Sequence, residues 1–236
     1  MEKLDAIILA GGKGTRLRSV VSDIPKPLAP VNGKPFLDIL LSQLDGSGCA
    51  NKVVLAVGYK SEIVIDRYKD CKEYKFKILF SLEKELLGTG GAIKKAMQLT
   101  ESEDVLVLNG DSYAEVDIRD AIKYHIENNA SMTVVLKEVD NAGRFGSVKL
   151  DGEKRITHFE EKKDTVAPGL INAGIYLMKR KLFDNVQEDK VVSLEREILP
   201  ELINKGIYGY IAGGKFIDIG IPETYMSSGE YLREVA

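Results

Sequence analysis

The run Leu9-Ala10-Gly11-Gly12-Lys13-Gly14-Thr15-Arg16-Leu17 sets three glycines, a hydroxyl and two cations directly after an apolar segment. Glycines lack a Cβ, so the main chain can approach a polyphosphate closely while successive N–H groups line an anion cradle. Arg16 brings a delocalised guanidinium suited to spanning phosphate oxygens. Pro25-Lys26-Pro27 presents a second cation from backbone that two prolines restrict. The run lacks the glycine three residues after Gly14 that a dinucleotide fold needs, and it lacks the Gly-Lys-Ser/Thr of a P-loop. Nicotinamide chemistry and ordinary ATP hydrolysis are therefore disfavoured. Read alone, the glycines also suit a tight strand-to-helix turn, and Lys26 a solvated side chain between turn prolines.

Two carboxylates stand where a sheet would present them. Asp111 follows the apolar run Val105-Leu106-Val107-Leu108 and a glycine, which places it at the carboxyl edge where α/β sheets bind ligands. Asp218 follows a second apolar approach and precedes Gly220. Either could instead cap a turn. Leu87-Gly88-Thr89-Gly90-Gly91 opens a helical segment, where free N–H groups can receive a phosphate or the edge of a base. His125 and His158 fit no nucleophile and base arrangement and read as surface or boundary histidines.

These groups need a scaffold. Short β-branched apolar runs at 4–10, 52–57, 76–81, 104–109, 131–138 and 173–178 alternate with helical patterns at 35–44, 60–68, 90–98 and 117–128. That alternation predicts an α/β, Rossmann-like three-layer sandwich with a mixed, mostly parallel sheet. Residues 146–150 and 156–162 flank the turn signal Asp151-Gly152, which predicts a small antiparallel insertion. No linker or repeat divides the chain, so residues 1–236 are expected to form a single domain.

Composition agrees with such a core: of 236 residues, 44% are hydrophobic and 29% charged. A net charge of −3 with both signs scattered gives no field that would attract nucleic acid or a membrane surface. Any anionic ligand must be met locally. Cys49 and Cys71 have no metal or redox spacing and read as reduced intracellular thiols. With no signal-like leader and no apolar run of membrane-spanning length, a cytoplasmic location is expected. Whether copies of the chain associate as a homo-oligomer is left open.

The glycine loop, Pro25-Lys26-Pro27 and Gly33-Lys34-Pro35 together resemble the signature of the sugar-1-phosphate nucleotidyltransferase family. Leu87-Gly88-Thr89-Gly90-Gly91-Ala92, Asn109-Gly110-Asp111, Phe159-Glu160-Glu161-Lys162, Asn172-Ala173-Gly174-Ile175-Tyr176 and Phe216-Ile217-Asp218-Ile219-Gly220 resemble its remaining motifs in order. The resemblance implies a nucleotide site built from Leu9, Ala10, Gly11, Gly12, Gly14, Thr15, Arg16, Lys26, Glu83, Gly88, Thr89, Asn109 and Gly110. Of these, Glu83 can accept from guanine N1 and its exocyclic amine, although it can equally be a surface glutamate. On the sugar-phosphate side the resemblance implies Gly146, Glu160, Lys162, Asn172 and Gly174, and read alone, Phe159-Glu160-Glu161-Lys162 is an exposed charged strand. Asp111 and Asp218 are the implied ligands of Mg²⁺, and Arg16, Lys26, Asp111 and Asp218 the implied catalytic set.

The implied reaction is in-line attack of a sugar phosphate on the α-phosphorus of a nucleoside triphosphate, with pyrophosphate leaving. The stretches 16–30 and 87–94 are similar to the branch of the family that guanylylates D-glycero-D-manno-heptose 1-phosphate. GTP and that heptose are therefore the favoured substrates, with mannose or glucose 1-phosphate as alternatives, and a bacterial surface glycan as the destination. Ile221 stands where many relatives have threonine, and no tryptophan precedes Asp218. The length leaves no room for the C-terminal β-helix extension of some relatives, so regulation through one is not expected. A glycosyltransferase would lack the loop and Pro-Lys-Pro pair, and a nucleotide-sugar sensor would be expected to have lost Lys26, Asp111 or Asp218.

Overall fold

The computed structural model describes residues 3–159, 166–203 and 205–235. Strand β1 (Leu4–Leu9) is buried at every inner position. After it, β2 (Pro30–Val31) and β3 (Lys34–Pro35) close a small ribbon around Asn32-Gly33. Next come β4 (Ala50–Val57), β5 (Lys77–Leu82) and β6 (Asp104–Asn109), which lie with β1 in the order β6-β1-β4-β5, all parallel. Strand β7 (Ser112–Ala114) leaves this sheet, whereas β8 (Met132–Val139) joins it further along.

The antiparallel insertion is the hairpin β9 (Val148–Leu150) and β10 (Ile156–Phe159). Strand β11 (Gly169–Lys179) begins four residues before the expected 173–178 segment and runs against both β6 and β8. Strand β12 (Ile207–Ala212) returns parallel to β8, and β13 (Phe216–Asp218) pairs with β7. Among the described residues β11 is thus the one reversed long strand in an otherwise parallel set, and the expected mixed sheet is present.

Alternation along the strands produces the three layers. Ala6, Ile8, Val53 and Leu55 face helices α1 (Phe36–Ser47), α2 (Ser61–Tyr68) and, with Leu106 and Leu108, the later α4. Ile7, Val54, Val105 and Val107 face α3 (Gly88–Ala96) on the other side. Helix α4 (Ile118–Glu127) starts where the Asp117 carboxylate accepts from Asp120 N at 3.1 Å. The short α5 (Leu199–Leu202) follows a π turn at 194–198 that belongs to the α3 layer, and α6 (Pro222–Tyr231) opens on a proline at its first position.

At the amino edge of the sheet, opposite the predicted site, Asp5 is wholly buried. Its carboxylate accepts from Glu101 N at 2.6 Å, Ser102 N at 3.2 Å and Asn51 Nδ2 at 3.1 Å, and Lys52 Nζ lies 3.7 Å away. Burial alone would raise its pKa, but these donors and the lysine together hold it below the ordinary value. Because the folded pKa is depressed, the stabilisation is present above the ordinary carboxylate range and lost as pH falls through the folded value. Asp5→Ala should cost about 2–4 kcal/mol at neutral pH, since it leaves amides and a lysine unpaired. Thermal melts should show this gap narrowing as the buffer is taken below the carboxylate range.

Candidate active site

A cleft of about 360 Å³ opens at the carboxyl ends of β1 and β6, a size typical of small-ligand sites. Leu9 and Ala10 leave β1 into the glycine loop, and Gly11, Gly12, Gly14, Thr15 and Arg16 form one wall. Asn109, Gly110 and Asp111 leave β6 to form the floor, with Gly110 N donating to Leu9 O at 2.9 Å. Lys26, Glu83, Gly88 and Thr89 complete the enclosure. All the nucleotide-side residues expected from the sequence therefore meet in one place. The close approach of the loop favours glycine at position 11, where a Cβ would lie 3.1 Å from the Gly58 backbone nitrogen and 2.6 Å from Glu83 Oε1, displacing that carboxylate.

The strongest electrostatic feature is a cluster of two carboxylates and an ammonium. Lys26 Nζ lies 2.6 Å from Asp111 Oδ2, and its side chain is only 10% exposed. The 3-10 turn at 26–28, begun by Pro25, aims the lysine inward. Asp218 reaches the same spot because β13 pairs with β7, setting Asp218 opposite Ser112 while Ile219 N donates to Asp111 O at 2.9 Å. Gly220 N donates to Asp218 Oδ1. Burial raises the Asp218 pKa, and repulsion from Asp111 raises it further, against the opposing pull of Lys26, the Gly220 amide and Arg16.

Two converging carboxylates suit a hard divalent cation that keeps oxygens of a phosphate and of water in its other positions. Among the described residues no group of three or more His, Cys, Asp or Glu side chains gathers to hold a metal. A cation bound here would thus depend on ligand oxygens as well as on Asp111 and Asp218.

Glu83 is not a surface glutamate; it is 7% exposed, with Oε2 accepting from Leu87 N at 3.0 Å. Burial pushes its pKa up, only partly offset by that amide and by Lys95. The start of α3 also differs from expectation. Gly90 N and Gly91 N donate to Val192 O at 2.8 and 3.2 Å, so these two amides are already used within the protein. They anchor the 192–198 segment instead of receiving a ligand, and Gly88 and Thr89 are the members of this motif that line the cleft.

On the sugar-phosphate side, Gly174 sits at φ +76° in a bulge of β11, where the pairing with β8 shifts between Asn172 and Tyr176. A Cβ there would lie 2.6 Å from Ser112 Oγ and 2.8 Å from Asn109 Nδ2, so the bulge brings β11 against the floor of the cleft. Asn172 is half-buried; its Oδ1 accepts from Gly174 N at 2.9 Å and its Nδ2 donates to Tyr176 OH at 2.7 Å. Gly146 is buried, with its N–H on Ala142 O at 3.0 Å, and does not line the cleft. Glu160 and Lys162 lie outside the described residues. His158 is exposed, but His125 is 1% exposed and not a boundary histidine: it meets Thr133 Oγ1 at 2.8 Å and Asp104 at 3.3 Å, a structural bond between α4 and the sheet.

Residues 5–234 match the family described as Nucleotidyl transferase. The chain belongs to that family. It is 40% identical over 231 residues to the D-glycero-alpha-D-manno-heptose 1-phosphate guanylyltransferase of Aneurinibacillus thermoaerophilus, covering 98% of this chain and 99% of the relative. The protein of the same name from Campylobacter jejuni is 41% identical over 223 residues, covering 94% and 97%. Among solved structures, HddC from Yersinia pseudotuberculosis complexed with GMP-PN superposes with a TM-score of 0.85 at 36% identity, over 96% of this chain and 98% of that one. This nucleotidyl transferase is accordingly an enzyme, and among its described residues no helix is long and apolar enough to cross a membrane.

Two groups by the site of this nucleotidyl transferase escaped the sequence: Leu86, which lines the cleft beside Gly88 and Thr89, and Glu195, which meets Thr89 and Tyr176 through tertiary contacts alone. Ala92, Tyr176 and Gly220 stand inside the sequence motifs, which assign no role to them. The buried Glu83 yields a test of the electrostatics. Its folded pKa is raised, so its ionised form costs stability above that value, and the cost vanishes below the ordinary glutamate range. Glu83→Gln should therefore raise the melting temperature at neutral pH, with no gain near pH ~3, below the ordinary glutamate range, where the side chain is protonated in both states.

Proposed function

We propose that this nucleotidyl transferase moves GMP from GTP onto D-glycero-α-D-manno-heptose 1-phosphate, releasing pyrophosphate and giving a nucleotide-sugar. The observation that carries the reaction is the convergence of the glycine loop, Lys26 and Asp111 in one cleft, with Asp218 half-buried behind its Gly220 edge and within the charge field of both Lys26 and Asp111. The choice of GTP and heptose is supported by the near full-length similarity to the two heptose 1-phosphate guanylyltransferases and to HddC with GMP-PN. Glu83 supports guanine on chemical grounds, as a buried carboxylate on the cleft wall that can accept from both N1–H and the exocyclic amine.

In this reading the amides of the glycine loop and Arg16 hold the β- and γ-phosphates, and Lys26 faces the α-phosphate. Glu160, Asn172 and Gly174 receive the sugar, and Lys162 its phosphate, whereas Gly146, buried with its amide on Ala142 O, shapes the fold beside them. An oxygen of the sugar phosphate attacks the α-phosphorus in line; the new P–O bond forms as the bond to the bridging oxygen of pyrophosphate breaks. The nucleophile is already an anion, so no side chain has to remove a proton. The chain's work is alignment and the neutralisation of polyanion repulsion. Magnesium held by Asp111 and Asp218 would supply further positive charge to the phosphates. Residues 1–236 act as one nucleotidyltransferase domain, in the cytoplasm, where nucleoside triphosphates are available and Cys49 and Cys71 stay reduced.

The test is pyrophosphate release with Mg²⁺, each nucleoside triphosphate being paired with the heptose 1-phosphate, mannose 1-phosphate and glucose 1-phosphate. GTP with the heptose should dominate. A dominant different pair would overturn the substrate choice, and silence with nucleotide still bound would overturn catalysis in favour of sensing. Lys26→Ala should lower kcat/KM about 10²–10³-fold, as expected for loss of a charge aimed at the transferring group, with the far-UV circular dichroism spectrum unchanged.

A further inference from the structure

Between the nucleotide side of the cleft and the β11 bulge runs a chain of hydrogen bonds centred on one carboxylate. Glu195 Oε2 accepts from Thr89 Oγ1 at 2.7 Å, and Oε1 lies 3.5 Å from Tyr176 OH. Thr89 lines the cleft at the start of α3, and Tyr176, fully buried, accepts from Asn172 Nδ2 at 2.7 Å. We infer that Glu195 is a positioning residue that ties the two substrate subsites together, fixing Thr89 through one oxygen and the Tyr176–Asn172 pair through the other. The inference rests on the reaction proposed above, which places the nucleotide beside Thr89 and the sugar phosphate beside Asn172.

The donors and acceptors leave little freedom in this chain. Thr89 and Tyr176 each carry a single hydroxyl proton, and each hydroxyl faces a different oxygen of Glu195. Thr89 Oγ1 is held from its other side by Leu194 N at 2.8 Å, which fixes the hydroxyl within the first turn of α3. With its proton turned to Glu195, Tyr176 offers Asn172 an acceptor. Asn172 then has its amide orientation set at both ends, Nδ2 on Tyr176 and Oδ1 on Gly174 N. Burial keeps the Tyr176 phenol protonated and able to donate.

The segment that carries Glu195 is anchored to the start of α3. Val192 N donates to Leu87 O at 2.9 Å, and Val192 O takes the Gly90 and Gly91 amides. Ser193 Oγ accepts from Arg196 N at 3.2 Å while Glu197 Oε1 accepts from Ser193 N at 2.7 Å, and Leu194 and Ile198 are buried against the sheet. The segment therefore moves with the start of α3, and Glu195 reaches from it to β11. The 3.5 Å link to Tyr176 is at the outer limit of a hydrogen bond, so it is the joint that can tighten when the sugar side fills.

The experiment measures KM for GTP and for D-glycero-α-D-manno-heptose 1-phosphate separately, and the dissociation constant of GTP by calorimetry, in four variants. Glu195→Ala should raise both KM values about tenfold, the size of one or two lost hydrogen bonds. Thr89→Val should raise mainly the GTP value and Tyr176→Phe mainly the heptose value. Glu195→Gln keeps the size but has one acceptor oxygen, so it should restore one substrate and not the other. A purely structural role would instead be rescued for both substrates by Gln, with only the melting temperature changed, and that result overturns the inference. So do wild-type KM values in Glu195→Ala. If the wild-type protein is silent with every substrate pair but binds GTP, the reaction fails, and an unchanged GTP dissociation constant in Glu195→Ala then removes the inference too. No binding of GTP at all overturns both.

Discussion

Two carboxylates brought to one point repel, and the site is built around tolerating that repulsion. Asp111 lies in the turn between β6 and β7, just past the end of a strand of the main sheet, and Asp218 is delivered beside it by a ribbon of three residues on each side, β7 with β13. Burial and the charge of Asp111 make Asp218 hard to ionise, and the ammonium of Lys26, 2.6 Å from Asp111, works against both together with the Gly220 amide. Such an arrangement stores an attraction for positive charge. The prolines on either side of Lys26, the amide of Gly220 on Asp218 and the glycine loop all keep the cluster compact while leaving its open side toward the cleft.

The long reversed strand explains how a second ligand comes to lie beside the first. Strand β11 is antiparallel to β6, and its bulge at Gly174 brings Asn172 and Tyr176 up to the floor formed by Asn109 and Ser112. Without the bulge the pairing with β8 would continue in register and the approach to Asn109 would be lost. The segment at 192–198 meets the same strand from the α3 side, the layer to which Tyr176 also belongs.

Much of this was legible in the residues because the relevant signals are local. A glycine loop after the first apolar run, Lys26 between prolines, and Asp111 after Val105-Leu106-Val107-Leu108 each sit at a predictable strand end, and the alternating pattern sufficed for the layers. What was not legible depends on partners far apart in sequence. Strands β7 and β13 are too short for a periodicity, and their pairing spans about a hundred residues of chain. The direction of β11 cannot be read from its composition, because a buried strand looks alike either way. Glu195 lies in a stretch for which the sequence offered no motif, and His125 on a helix face gave no sign of its bond to Thr133 across the layer. Gly90 and Gly91 carried a ligand-loop signal, but their amides were claimed by Val192.

The central claim is that Asp111 and Asp218 act as a pair that receives a divalent cation together with the phosphates of the nucleotide. Electron paramagnetic resonance of Mn²⁺ titrated into the protein with and without GTP tests this directly. The account predicts one tight Mn²⁺ per chain when GTP is present, weakened at least about tenfold by either Asp111→Asn or Asp218→Asn, because each removes a full ligand charge. Unchanged Mn²⁺ affinity and stoichiometry in the double variant would contradict it.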